Sequence, residues 1–79
     1  MGNKNAAIVE ISQTAGKFKS SIVLQVENKY IDVKSMLGLY VTLMTNNDYE
    51  LHIHGPDEED AKKAMDEAFA KHGMKVLIV

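Results

Sequence analysis

The sequence predicts an α+β fold, with three helices on one face of a four-stranded sheet in the order α-β-β-α-β-α-β. Three observations carry that expectation. Ser20–Val26 and Tyr49–His54 alternate apolar and polar residues with the period of a half-buried strand. Lys34–Met44 and Asp57–Gly73 instead space their apolar residues at helical intervals. The chain has 79 residues, enough for one domain and no more, and no repeat, linker or low-complexity tract divides it. Residues 1–79 therefore read as a single domain.

The elements follow in order. Asn5 is a plausible N-cap for a first helix whose Ile8, Ile11 and Ala15 recur at helical spacing, with Gly16 as its terminator. Ser12 and Thr14 weaken its propensity, so packing must hold it. Ile22, Leu24 and Val26 then share one face of a strand. Glu27-Asn28-Lys29 turns the chain into Tyr30–Val33, which completes a hairpin. Ser35 stands where an N-cap belongs for the second helix, with Met36, Leu39, Tyr40 and Leu43 as its stripe and Thr45–Asp48 as its end. In the third strand Leu51 and Ile53 point inward, and Glu50, His52 and His54 outward. Asp57–Asp60 opens the third helix with acids that complement its dipole, and Glu58–Lys62 and Glu59–Lys63 are favourable pairs. Ala61, Ala64, Met65, Ala68 and Phe69 form its buried stripe, and His72-Gly73 ends it. Met74–Val79 is the most strand-prone segment of the chain.

Composition narrows the function classes. Apolar residues make up 46% and charged residues 25%, as in an ordinary soluble domain. A chain this short buries roughly 60–65% of its unfolded surface, so its stability is marginal. The absence of Cys removes disulfides and thiolate metal sites and fits the cytosol. A net charge of −2 argues against nucleic acid as partner. No apolar run approaches the ~20 residues of a membrane span. MGNKNAA lacks the apolar core of a secretory signal, and Ala6 and Ala7 spoil a loose myristoylation match that begins at Gly2.

Few residues offer chemistry. His52 and His54 share a strand face and could ligate one metal, but no third ligand stands at a defined spacing, so the plainer reading is a solvent-facing pair. His72 reads as a helix terminator and the acids 57–60 as a solvated helix start. Phosphate loops, acid/base carboxylate pairs and Ser/His/Asp arrangements are absent. Ser35 is more informative. As a plain cap it is worth about 1 kcal/mol. The same geometry also tolerates an added phosphate. The helix behind it cannot bury Met36, Leu37, Leu39, Tyr40, Leu43 and Met44 together, so an apolar patch must stand exposed beside the cap, which suits protein binding.

From Phe18 to about Ala68 the sequence resembles HPr, the histidine-containing phosphocarrier of the bacterial sugar phosphotransferase system, and its regulatory paralogue Crh. Gly16–Ile22, Val33–Leu39 and Gly55–Ala61 carry the resemblance. The middle piece is specific, because a Lys-Ser followed by apolar residues and Gly-Leu holds the serine phosphorylated by an ATP-dependent kinase in Gram-positive members. That serine falls on Ser35. The family's contacts for the catabolite control protein, a transcription regulator, fall on Met36, Leu37 and Tyr40. The resemblance implies an open-faced sandwich of four antiparallel strands and three helices.

Two departures qualify it. The family's first strand precedes the first helix, whereas this sequence begins almost at that helix. The loop that carries the phosphate-accepting His falls on Gly2–Ala7, with Lys4 at the His, Ala6 at the Arg and Ala7 at the Pro. Lys cannot form the labile phosphohistidine, so no catalytic residue is expected. Met74–Val79 is expected to fill the interior gap left by the missing strand, within its own chain or exchanged into a strand-swapped homodimer. The expectation is thus a cytoplasmic, non-enzymatic HPr/Crh-like regulatory or binding protein without cofactor or metal. An HPr kinase and a catabolite-control regulator are its implied partners. The alternatives are an adaptor in which Ser35 is only a cap, and a phosphocarrier using His52 or His54.

Overall fold

The computed structural model describes residues 4–45 and 49–79, without the side chains of Lys4 and residues 43–45. The elements are α1 (Lys4–Ala15), β1 (Ser21–Val26), β2 (Lys29–Asp32), α2 (Met36–Thr45), β3 (Tyr49–His54), α3 (Glu58–Lys71) and β4 (Val76–Ile78). The four strands form one sheet in the order β2-β1-β3-β4. The expected α+β order is the observed one. The expected end of the second helix at Asn46–Asp48 and the packing of Leu43 lie outside the described residues.

The alternation read from the strands is what builds the core. Ile22, Leu24, Leu51 and Ile53 are fully buried, and the register pairs Ile22 with Ile53 and Leu24 with Leu51. Polar residues of the same strands stand on the opposite, open face. α3 covers the sheet with Ala61, Met65, Ala68 and Phe69, four residues at helical spacing. Ala64 is only half-buried. α1 contributes Ile8, Ile11 and Ala15. Its weak helix former Ser12 is buried and donates from Oγ to the Lys34 carbonyl at 3.1 Å, tying α1 to the turn before α2. Asn5 lies inside α1 rather than capping it, since the helix begins one residue earlier.

One strand pairing differs from expectation. β1 is antiparallel to both β2 and β3, but β4 runs parallel to β3. The reason is the connection. A strand, a helix laid back across the sheet and a second strand bring the chain to its starting end, so β3-α3-β4 must close in parallel. The sheet is therefore mixed. β4 also sits at the edge of the sheet and not in an interior gap, and it pairs with β3 of its own chain.

The second helix turns a different face inward from the stripe expected. Leu39 and Thr42 are buried, whereas Met36 and Tyr40 are exposed. Gly38 lies on the inward side, against β2. A Cβ there would lie 2.8 Å from Ile31 Cγ2, so the bare glycine lets α2 settle onto β2. The buried Thr42 hydroxyl is satisfied by the Gly38 carbonyl at 2.9 Å.

Candidate functional site

Ser35 is placed by a compact turn between β2 and α2. The Asp32 carbonyl accepts from the Ser35 N–H at 2.9 Å, and the Asp32 carboxylate accepts from the Lys34 N–H at 2.9 Å. The Ser35 carbonyl takes the first helical bond of α2, from Leu39 at 3.0 Å. Ser35 Oγ accepts from the Gly38 N–H at 3.4 Å, a long cap bond compared with the usual ~2.9–3.0 Å. Ser35 is exposed, and the first turn of α2 holds no acidic residue. The positive end of the helix is therefore left uncompensated by its own side chains.

Around that cap lies an apolar arc. Met36 is 44% exposed, Leu37 78%, Tyr40 45% and Val41 59%. At about 100° per residue these four positions sweep one side of α2, opposite Gly38, Leu39 and Thr42. The sequence placed Met36, Leu37 and Tyr40 beside Ser35, and the fold exposes all three. Val41 was missed. Its signal was there, since it follows Leu37 by four residues, but without a position for the sheet nothing distinguished the two sides of so apolar a helix. Lys34 does not turn toward Ser35. Its ammonium donates to the Phe18 carbonyl at 2.9 Å and closes the loop after α1.

The other candidates are placed as follows. Lys4 is the first residue of α1, and its side chain lies outside the described residues. His52 is half-buried on the open face, with Nε2 2.8 Å from Gln25 Oε1 and 3.6 Å from a Glu50 oxygen, and its ring meets Tyr30 edge-on. His54 is exposed two residues along the same face. Among the described residues no three His, Asp or Glu side chains converge on a metal position. His72 ends α3, and its Nε2 lies 3.0 Å from Glu10 Oε1. Lys71 donates to the other Glu10 oxygen at 3.1 Å. These two contacts, Lys71 first, hold the Glu10 carboxyl below its usual pKa and join the C-terminal end of α3 to α1.

The start of α3 is a structural site that the sequence did not disclose. Asp57, read as part of a solvated acid run, makes no side-chain cap. Its carboxylate accepts from the Ser20 hydroxyl at 2.5 Å and from the Lys19 and Ser20 N–H groups, each at 2.9 Å. These bonds, the Ser20 hydroxyl above all, pull its pKa down to about 2. The partners are 37 and 38 residues away in sequence, so no local pattern could announce them. Of the surface pairs, Lys62 bonds Glu58 at 3.6 Å as expected, but Glu59 lies 3.7 Å from Lys62 as well.

With this geometry in view, comparison with known proteins decides the kinship. A family model described as the PTS HPr component phosphorylation site matches residues 2–71. The chain belongs to the HPr family. Its fold is similar to that of an HPr from Thermoanaerobacter tengcongensis, described as a dimer, at 32% identity and a TM-score of 0.76 over 82% of this chain and 76% of the other. Crh of Bacillus subtilis, described as a swapped dimer, superposes with a TM-score of 0.73 at 23% identity over 94% of this chain and 86% of Crh. A Mycoplasma histidine-containing phosphocarrier gives 0.75 at 16% identity over 86% of this chain and 78% of that one, a likeness of fold alone. The family match stops at the last residue of α3, so β4 lies beyond it. No helix among the described residues is long and apolar enough to cross a membrane.

Proposed function

We propose that this HPr-family protein is a regulatory or binding module of the phosphotransferase system that works in the cytoplasm without relaying phosphate. It recognises a protein partner through the face around Ser35, and phosphorylation of that serine switches the recognition. The observation that carries this reading is the arc of Met36, Leu37, Tyr40 and Val41, exposed directly beside a hydroxyl at an open helix N-terminus. A phosphate on Ser35 would meet the N–H groups of the first turn, where added negative charge is favoured. It would also place an anion beside apolar surface, which a partner can answer with an Arg or Lys and an apolar pocket.

Loss of the relay rests on Lys4, Ala6 and Ala7, which stand where the family resemblance puts the His, Arg and Pro of the phosphate-accepting loop. The implied partners are an HPr kinase, which would modify Ser35, and a regulator of the catabolite-control kind, which would read it. A second copy of the chain is a further partner, because the two relatives above are described as dimers.

Incubation with an HPr kinase and labelled ATP, and separately with phosphoenolpyruvate and the general phosphotransferase enzymes, tests the reading. Acid-stable label on Ser35 in the first arm and none in the second is the expected result. Acid-labile label in the second arm would make the protein a carrier using another His, such as His52 or His54. Absence of label from both would leave Ser35 a cap and the protein an adaptor.

A further inference from the structure

Among the described residues the outer edge of β4 has no partner strand in the sheet order. In a parallel ladder alternate residues turn their main-chain groups toward the neighbouring strand. The Val79 N–H donates to the Leu51 carbonyl at 2.9 Å, and Leu77 and Ile78 stand beside Glu50 and Leu51. Leu77 and Val79 therefore face β3, while the N–H and C=O groups of Val76 and Ile78 point out of the sheet. The side chains agree. Val76 and Ile78 pack on the core but are only partly buried, and Leu77 and Val79 on the open face are 63% and 55% exposed. Edge strands are normally blunted by Pro, bulges or several charges. Met74–Val79 has only Lys75.

We propose that this edge is a self-association surface: two copies of the chain pair β4 with β4 in antiparallel fashion about a two-fold axis at Leu77. In this register both outward-facing residues of β4 find an outward-facing partner within β4 of the second copy. With Leu77 opposite Leu77 of the second copy, Val76 of each copy stands opposite Ile78 of the other. Those are the residues whose donors and acceptors point outward, so each pair exchanges two N–H···O bonds. The helix-side faces of Val76 and Ile78, half-exposed in one copy, are covered by their counterparts as β-branched cross-strand pairs.

Charge selects the same arrangement. Antiparallel pairing sets the two Lys75 residues four positions apart along the strands, about 13 Å, beyond a Debye length of ~8 Å at physiological salt. A parallel pairing would put them side by side at about 5 Å. This dimer keeps β4 in its own sheet, unlike an exchange of strands. The short strand buries less than the ~1,200 Å² of standard interfaces, so association is reversible and seen at about 0.1–1 mM protein.

Sedimentation equilibrium over that range tests it. Wild type is expected to show a concentration-dependent dimer, and Leu77→Lys and Leu77→Glu are each expected to weaken it at least tenfold, with thermal midpoints close to wild type. Because residue 77 faces itself across the axis, an equimolar mixture of the two variants should recover association. A wild type that stays monomeric at 1 mM overturns the proposal. So does a dimer that persists in Leu77→Lys, which would mean strand exchange or another face. Failure of the mixture to associate, with wild type dimeric, overturns the register. If β4 pairs with an extended segment of another protein rather than with itself, wild type alone stays monomeric.

Discussion

The N-termini of α2 and α3 are built from similar parts and put to different uses. Each follows a strand, each has a short polar residue at its cap, and each lies near a glycine. At α3 the cap residue Asp57 turns away from its helix and binds Lys19 and Ser20, while Glu58, Glu59 and Asp60 answer the helix dipole in its place. Gly55 lies so close to Ser20 that a Cβ would stand 2.5 Å from the Ser20 Cα. At α2 the cap Ser35 is exposed, its bond is long, no acid fills the first turn, and apolar side chains stand around it. One helix start is committed to holding the fold. The other leaves its hydroxyl and its positive end facing outward, as a modifiable site requires.

The contrast is broken most severely at Gly55. Its φ is +152°, and Gly55→Ala would drive a Cβ into the backbone of Ser20. Backbone strain of about 1–3 kcal/mol and overpacking of similar size put the expected loss near 3 kcal/mol, a large share of the stability of a domain this small. Urea denaturation measures it. A loss under about 1 kcal/mol would mean that the Ser20–Asp57 corner yields easily and is not the rigid one.

Asp57 sharpens the same side through pH. Its folded pKa of about 2 lies below the ordinary 3.8, so its contribution is complete above 3.8 and is lost as pH falls toward 2. The wild-type thermal midpoint should fall across that interval more steeply than that of Asp57→Asn, whose amide cannot titrate. Parallel slopes for the two proteins would show that the clamp does not depend on the carboxylate.

Gly38 is the counterpart near Ser35, and there a large effect is not expected. The atom a Cβ would meet, Ile31 Cγ2 at 2.8 Å, is a methyl on a half-buried β-branched side chain, which gives way only by a turn about χ1 and not by a shift of backbone. Ala in place of Gly inside a helix is worth about 1 kcal/mol, which offsets the crowding. Gly38→Ala should therefore change stability by less than about 1 kcal/mol in the same urea experiment. A loss like that of Gly55→Ala would show that α2 is held against β2 as rigidly as α3 is held at Ser20.

What the sequence disclosed follows from where the information is local. Alternation in Ser20–Val26 and Tyr49–His54 needs no knowledge of neighbours, and it located both central strands and their buried faces. The parallel direction of β4 was hidden because it is set by the path of α3 across the sheet. The inward face of α2 was hidden because Met36, Leu37, Tyr40 and Leu43 are all apolar, and the side that turns in is the one carrying Gly38, Leu39 and Thr42 against the rest of the fold. Ser35 was legible as a cap because capping is local. Asp57 was not, because its partners, Lys19 and Ser20, lie just before β1 and far from it in sequence.

Ser35 itself should give the smallest effect on stability and the largest on recognition. Ser35→Ala removes a cap bond of 3.4 Å, so the loss should sit at the low end of the capping range, about 0.5 kcal/mol. Ser35→Asp retains capping ability and adds a negative charge where the helix dipole favours one, so stability should be unchanged or raised by up to about 0.5 kcal/mol. Lys34 should contribute little to neutralising that charge, since its ammonium is bound to the Phe18 carbonyl. The new anion would then remain available to a partner. Calorimetry on the three proteins, with pull-downs from the same preparations, separates the two uses of the helix start. A several-fold change in affinity for a partner with Ser35→Asp, at a nearly constant thermal midpoint, is the expected pattern. Identical partner profiles for Ser, Ala and Asp at this position would remove the switch and make the start of α2, like that of α3, a device of the fold alone.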